Sequence, residues 1–366
     1  MTVLVVGGGV IGCATAYALA KAGCAVTLLE RAAPGAEASG AAAGLLAPLG
    51  ESTQTAFARL ALASWRLYPG VVSELRERTG IDVEHVTRGT IYPQTATASA
   101  EQAREWALAP EFGVQVLEGR DVQELEPALS PKVRRAILVR GDHWINNQRL
   151  VTAYAQAAVS AGVELAVGTE VTDVVVERGR ARGVAAGAER FEGDAVLLAA
   201  GAWTSQLTGA LGARLPVEPR RGQMIALAHL PPVLTYCVHG EAYLVPRPSG
   251  ELLIGATVEN AGFRREITAE GVAGLLRAAI DLVPSVRDLP ITRTWYGFRP
   301  WAPDSLPILG PWPGIEGLWV ATAHFRNGIL LAPITAQVMC EWMLGGRPSI
   351  EVKEFLPDRF LRERPK

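Results

Sequence analysis

The chain has 366 residues, 49% of them hydrophobic, and a formal net charge of −2. That length allows one large or two moderate domains with a full core, and the composition excludes a disordered polypeptide. Near-neutral charge without a long Lys or Arg run leaves no electrostatic footprint for nucleic acid or an anionic membrane surface.

In chain order, the first element is Val3-Leu4-Val5-Val6, an apolar run that reads as a buried parallel strand. It feeds into Gly7-Gly8-Gly9-Val10-Ile11-Gly12, a G-x-G-x-x-G. In that pattern Gly7 permits the tight turn, Gly9 lets a pyrophosphate approach the backbone, and Gly12 lets the next helix sit close to the strand. The helix opening at Val10 and Ile11 offers unpaired N–H groups and a partial positive charge to the same pyrophosphate. Ala14, Ala18 and Leu19 give it an apolar stripe, and Gly23 is placed to end it. A second strand, Val26–Glu30, ends on a carboxylate 30 − 12 = 18 positions beyond the last glycine. A carboxylate there accepts both hydroxyls of an adenosine ribose and repels a 2′-phosphate. Arg31 adjoins it among the expected cofactor contacts. Residues 3–20 hold no charge, yet Met1-Thr2 supplies no basic n-region, so neither a signal peptide nor a membrane anchor is expected.

Small residues then dominate Ser39 to Leu45, including Ala42, Ala43 and Gly44, which suits close backbone contact with a ligand. A helical stretch from Gln54 to Gly80, broken near Pro69, is followed by β-like residues 81–93 and a helix exposing Glu101, Arg104 and Glu105. The pattern is again an amphipathic helix from Asn147 to Gly162, then strand-like over 163–167 and 171–176. Residues 195–203 form a second buried strand whose end, Ala200-Gly201-Ala202-Trp203, is placed to return near the adenylate. From Pro216 to Arg299 the chain reads mostly as β, interrupted by a helix over 269–283. A final helix begins near Gly328 and runs to Leu344, ended by Gly345 and Gly346. The fold expected is α/β: a Rossmann-like dinucleotide domain formed by 1–84, 145–218 and 300–366, with an inserted β-rich (α+β) substrate domain formed by 85–144 and 219–299. The four cysteines form no C-x-x-C pair, which fits reduced thiols in the cytoplasm, and the five histidines lack metal-ligand spacing, so no metal site is expected.

Beyond the generic fold, several motifs carry a more specific signal. They are Gly7–Gly12 through Glu30, Ala38-Ser39-Gly40-Ala41-Ala42-Ala43-Gly44-Leu45-Leu46-Ala47-Pro48, Tyr243-Leu-Val-Pro-Arg247, Gly255-Ala256-Thr257, Trp295-Tyr-Gly-Phe-Arg299-Pro300 and His324-Phe325-Arg326-Asn327-Gly328-Ile329-Leu330-Leu331-Ala332-Pro333. Together they resemble the FAD-dependent amine and D-amino-acid oxidases, and within them the glycine oxidases associated with thiamine biosynthesis. The N-terminal signature alone is shared with nicotinamide-dependent dehydrogenases, whereas the paired R-P and R-N-G-I-L-L-A-P motifs are not explained by them.

The resemblance implies a small amino-acid substrate whose carboxylate binds Arg299 and Tyr243, with Arg326 beside it. An arginine fork meets a carboxylate through two parallel hydrogen bonds, fixing charge and orientation together. It also implies that Arg299 and Arg326 contact the cofactor as well, and that Asn327, Gly328, Ile329 and Leu330 open a helix toward the flavin pyrimidine, where N–H groups stabilise the negative charge of the reduced ring. Val171 would offer its main chain to the adenine. Hydride transfer from Cα to flavin N5, hydrolysis of the imino acid and reoxidation by O₂ to H₂O₂ are the chemistry implied. A dehydrogenase passing electrons to another acceptor is the alternative. The covalent-flavin cysteine of the related sarcosine oxidases is not evident, so FAD is expected to be noncovalent. A homotetramer is implied by the resemblance alone. Glu241, two positions before Tyr243, either reaches the pocket mouth, where it would favour an ammonium or secondary-amine substrate, or faces solvent.

Overall fold

The computed structural model describes residues 1–50, 55–94, 99–209 and 211–361. Among them, six strands form one sheet in the order Ile308–Pro311, Leu318–Thr322, Ala195–Leu198, Thr2–Val6, Ala25–Glu30 and Glu164–Val167. The last five run parallel, and Ile308–Pro311 closes one edge antiparallel. Val3 to Val6 pair in register with Ala195 to Leu198 on one side and with Val26 to Leu29 on the other. Both faces of these strands are covered, which is why they read as continuous apolar runs. Alternation along the strand sorts the side chains. Val3, Val5, Leu28 and Leu197 face a helical layer, whereas Leu4, Leu29, Val196 and Leu198 face a three-stranded meander, Asp173–Glu177, Arg180–Ala186 and Glu189–Glu192.

The helical layer departs from the sequence expectation in two places. Helix Val10–Lys21 has no exposed face over its first two turns, because it lies between Asn147–Ser160 and the final helix Gly328–Met343. Its burial from Val10 through Tyr17 replaces the expected narrow stripe. The long helix Ala56–Thr79 is not broken at Pro69 but runs through it. Gln54, the expected start, lies outside the described residues. Thr55 caps this helix by accepting the Ala58 N–H at 3.1 Å, and Gly80 ends it at φ +71°. Ser64, Tyr68 and Leu75 are buried on either side of Pro69, so tertiary anchoring outweighs the hydrogen bond that the proline removes.

Eight strands form the second sheet, in the order Ile291–Trp301, Glu218–Ala228, Glu251–Gly255, Tyr243–Pro246, Cys237–His239, Thr90–Pro93, Arg135–Val139 and Val114–Glu118. All neighbours are antiparallel except Cys237–His239 with Thr90–Pro93, the seam where an early and a late segment of the chain meet. Helix Ala269–Leu282 packs on this sheet through Leu275 and Ala279. Of the β-like stretch 81–93 only Thr90–Pro93 is a strand; Val86 makes an isolated bridge to Trp144, and Glu84 (φ +52°) and Gly89 (φ +100°) bend the backbone out of the extended region. Val171 precedes the meander strand Asp173–Glu177 instead of beginning it.

Candidate active site

One cavity of about 780 Å³ runs from the carboxyl ends of the parallel strands to the face of the eight-stranded sheet. At the first end the glycines act as the motif requires. Gly7 has φ +110°, and a Cβ on it would sit 2.6 Å from the Ala199 carbonyl oxygen. A Cβ on Gly12 would sit 1.8 Å from the Gly7 carbonyl oxygen, so any side chain there would push the helix off the turn. The Gly9 N–H takes no partner among the described residues, and Ser39 Oγ accepts the Val10 N–H at 3.0 Å. Glu30 is fixed at the strand end by accepting the Gly8 N–H at 2.7 Å and the Ala32 N–H at 2.8 Å. Each carboxylate oxygen keeps a lone pair for a ligand. Gly8, which lies between the signature glycines, is required by this arrangement, since a Cβ would meet Glu30 Cγ at 2.9 Å.

Above Glu30 the rim is built by charge and aromatic stacking. The Arg31 guanidinium lies 3.9 Å over the Trp203 ring, and Trp203 stacks on Phe263 with centroids 4.7 Å apart. Glu37 accepts from Arg31 at 2.8 Å and from Arg265 at 2.7 Å, tying the nucleotide end to the 256–268 loop of the other sheet. Val171, Ala200 and Gly201 line the cavity on the same side.

The wall between the two ends is the Ser39–Leu45 segment. Asn147 Nδ2 donates to the Ser39 and Gly40 carbonyls at 2.7 and 3.0 Å, and Trp295 Nε1 donates to the Ala41 carbonyl at 3.0 Å. Gly44 takes φ +80°, and its Cβ would fall 2.0 Å from the Ile145 carbonyl oxygen. Ala42, Ala43 and Gly44 therefore face the cavity with little more than backbone, and Leu45 lines it beside them.

At the second end two glycines on intervening strands shape the site. Gly222 leaves room for Arg299, whose Nη1 lies 2.1 Å from where a Cβ would be, and Gly255 does the same for the Tyr243 ring at 2.6 Å. Arg299 and Tyr243 thus lie across the sheet face and both line the cavity. Arg299 Nη1 donates to the Thr257 carbonyl at 2.9 Å, and Tyr243 Oη approaches Met224 Sδ at 3.3 Å. Burial pushes the Tyr243 phenol up, and the Arg299 charge partly opposes this, so the group is a neutral donor. Arg326 lines the same space but is exposed. His239 stands against the Tyr243 ring at 5.8 Å; burial, with the Arg326 charge, pushes its imidazole down to about 4 and keeps it neutral. Asn327, Gly328 and Ile329 line the cavity where the final helix begins. Glu241 is exposed and also on the lining.

Two of the expected contacts are elsewhere. Gly12 is shielded behind Gly7, and Leu330 points into the core, 2% exposed; neither lines the cavity. Sequence reasoning also missed what holds Arg299 in place. Buried Arg221 pairs with Glu259, and Gln223 donates to Glu259 at 2.6 Å and to Thr268 at 3.0 Å. The Gln223 N–H also donates to Thr257 Oγ1 at 2.9 Å, so this cluster fixes the peptide that Arg299 binds. Its partners are 34 to 45 positions apart, beyond any local pattern. Tyr92, Trp106 and Gln102 line the cavity as well, and no motif pointed to them.

A glycine-lined cradle with the Glu30 carboxylate at the strand end, continuous with an arginine-lined compartment, is shaped for an extended dinucleotide whose far end meets an anionic group. This is the architecture of a flavin-dependent oxidoreductase. The chain belongs to the DAO family of FAD dependent oxidoreductases, whose profile matches residues 2–342. It is 36% identical to a glycine oxidase of Pseudomonas aeruginosa over 359 residues, covering 97% of this chain and 98% of that one. It is also 36% identical to the bifunctional protein ThiO/ThiG of Trichormus variabilis, covering 99% of this chain and 55% of the relative. The crystal structure of glycine oxidase from Geobacillus kaustophilus superimposes with a TM-score of 0.92 at 35% identity, covering 100% and 99% of the two chains. Among the described residues no helix is long and apolar enough to cross a membrane, and no group of three or more His, Cys, Asp or Glu is placed to hold a metal.

Proposed function

We propose that this chain oxidises glycine or another small amino acid, such as sarcosine or a short D-amino acid, to the 2-oxo acid, with O₂ as final acceptor. The observation that carries the reading is the convergence of Arg299 and the neutral Tyr243 donor on one cavity with the nucleotide cradle. FAD supplies the two-electron acceptor. For glycine the balance is glycine, O₂ and water giving glyoxylate, ammonia and H₂O₂. Arg299 and Tyr243 hold the carboxylate, which fixes the α-carbon against the Ala42–Leu45 wall. Such a reaction needs orientation and a tuned acceptor more than a side-chain base. His239, kept neutral, adds no charge that would repel the substrate ammonium.

The glycine-oxidase relatives support the substrate class, and the ThiO/ThiG relative supports a role in supplying thiazole for thiamine. Segments 1–84, 145–218 and 300–366 are assigned to FAD and 85–144 and 219–299 to the substrate. None of the four cysteines lines the cavity, which supports noncovalent FAD. Cytoplasmic residence and a homotetramer complete the reading.

Arg299→Ala removes the fork while leaving the nucleotide end intact. The expected loss is about 2–4 kcal/mol of transition-state binding, roughly 30- to 1,000-fold in kcat/KM, with FAD still bound. Steady-state kinetics beside the flavin content of the purified variant measure this. Wild-type kinetics in the variant would remove Arg299 from the site.

A further inference from the structure

Arg247 follows the strand Tyr243–Pro246 and is 5% exposed, yet no step described so far uses it. Its guanidinium donates to the Ala43 carbonyl at 2.8 Å, to Asn147 Oδ1 at 2.9 Å and to the Ile145 carbonyl. All three acceptors are neutral. The carboxylates nearest in influence are engaged elsewhere, Glu251 by Arg293 at 2.9 Å and Glu84 by Arg149 at 3.3 Å. Taking a cation out of water without a carboxylate costs several kcal/mol, which makes this position expensive for a purely structural residue. Burial pulls its guanidinium down to about 10.

Arg247 lies behind the cavity wall, not on it, whereas Ala43 and Gly44 are on it. In a trans peptide the carbonyl and the N–H point in opposite directions. Drawing the Ala43 carbonyl outward onto Arg247 therefore turns the Gly44 N–H toward the cavity. That N–H takes no partner among the described residues, and the Gly44 carbonyl is held separately by the Ile145 N–H at 2.9 Å. Ala43 belongs to the same apolar cluster as Met224, against which Tyr243 packs, so this peptide lies beside the substrate compartment, where the redox end of the cofactor has to lie.

We propose that Arg247 is a positioning residue for the cofactor: it aims the Gly44 N–H at bound FAD and sets an unpaired positive charge behind it, so that the site holds reduced FAD more tightly than oxidised FAD. Reduction adds negative charge to the ring, and a fixed donor backed by a cation favours that form without reorganising. The inference rests on FAD binding alone and not on which amino acid is oxidised.

The test is titration of the apoproteins with oxidised FAD and, anaerobically, with reduced FAD, for wild type, Arg247→Gln and Arg247→Lys. Folding is checked by circular dichroism. The ratio of the two affinities should fall at least tenfold in the Gln variant, equivalent to about 30 mV for a two-electron couple. It should stay within threefold of wild type in the Lys variant, which keeps the charge. An unchanged ratio in a folded Gln variant, even with both affinities weakened, would leave Arg247 a purely structural residue and overturn the proposal. So would an equal loss in both variants. If the Gln variant does not fold, Asn147→Asp places a carboxylate on the same guanidinium; the same tenfold fall is expected, and a wild-type ratio overturns the proposal.

Discussion

Asp142 has no exposed surface and accepts the hydroxyl of Tyr92, a cavity-lining residue, at 2.5 Å. Burial raises its carboxyl from 3.8 to about 7, against the opposing hydrogen bond from Tyr92. Between those two values the folded chain binds a proton that the unfolded chain has lost, so the contribution of Asp142 to stability falls as pH rises from about 4 to about 7. Asp142→Asn keeps the acceptor for Tyr92 and removes the titration. The variant should therefore gain on wild type by up to a few kcal/mol between pH 5 and pH 8. Melting temperatures at both pH values check this, and an equal difference at the two would contradict it. The Tyr92–Asp142 pair has no sequence signature, because 50 positions separate its members. Glu30, by contrast, was legible, since its distance from the glycines is fixed by one strand–helix–strand unit.

Among the elements, the final helix depends on the longest one at its proline. Pro333 removes the N–H that would bond the Ile329 carbonyl, and the buried Tyr68 hydroxyl donates to that oxygen instead. One turn earlier on the same helix, Ser64 Oγ donates to the Leu330 carbonyl at 2.6 Å and accepts the Ile334 N–H at 3.3 Å. The helix that begins at the cavity is thus held by side chains from residues 56–79. Tyr68→Phe leaves a buried carbonyl unpaired and should destabilise the fold by about 1–3 kcal/mol, read from denaturant midpoints. No change in midpoint would mean that the carbonyl finds another donor. Helices and parallel strands were legible because their signals are local: apolar runs, caps and terminating glycines such as Gly80. Pro69 reads locally as a break, whereas its tolerance comes from tertiary contacts that no local pattern encodes. The neighbour order of the eight-stranded sheet, with its parallel seam between Thr90–Pro93 and Cys237–His239, is a pairing across more than a hundred residues that no local pattern encodes.

At the scale of the whole molecule, the two sheets divide the labour. The parallel sheet presents the nucleotide cradle at its carboxyl ends, as open α/β sheets do. The second sheet brings Arg299 and Tyr243 over Gly222 and Gly255 to the far end of the same cavity. The 256–268 loop joins them, through Phe263 on Trp203 at one end and the Thr257 carbonyl on Arg299 at the other. In the proposed reaction an amino acid held by the second sheet reduces FAD held by the first. The direct test is anaerobic mixing of the purified holoprotein with glycine, sarcosine, D-alanine and D-proline in turn, followed by the flavin absorbance band. Bleaching by glycine or sarcosine, reversed on admitting air, is the expected result. Bleaching that air does not reverse would contradict the oxidase assignment in favour of a dehydrogenase, and no bleaching by any of the four would contradict the substrate class itself.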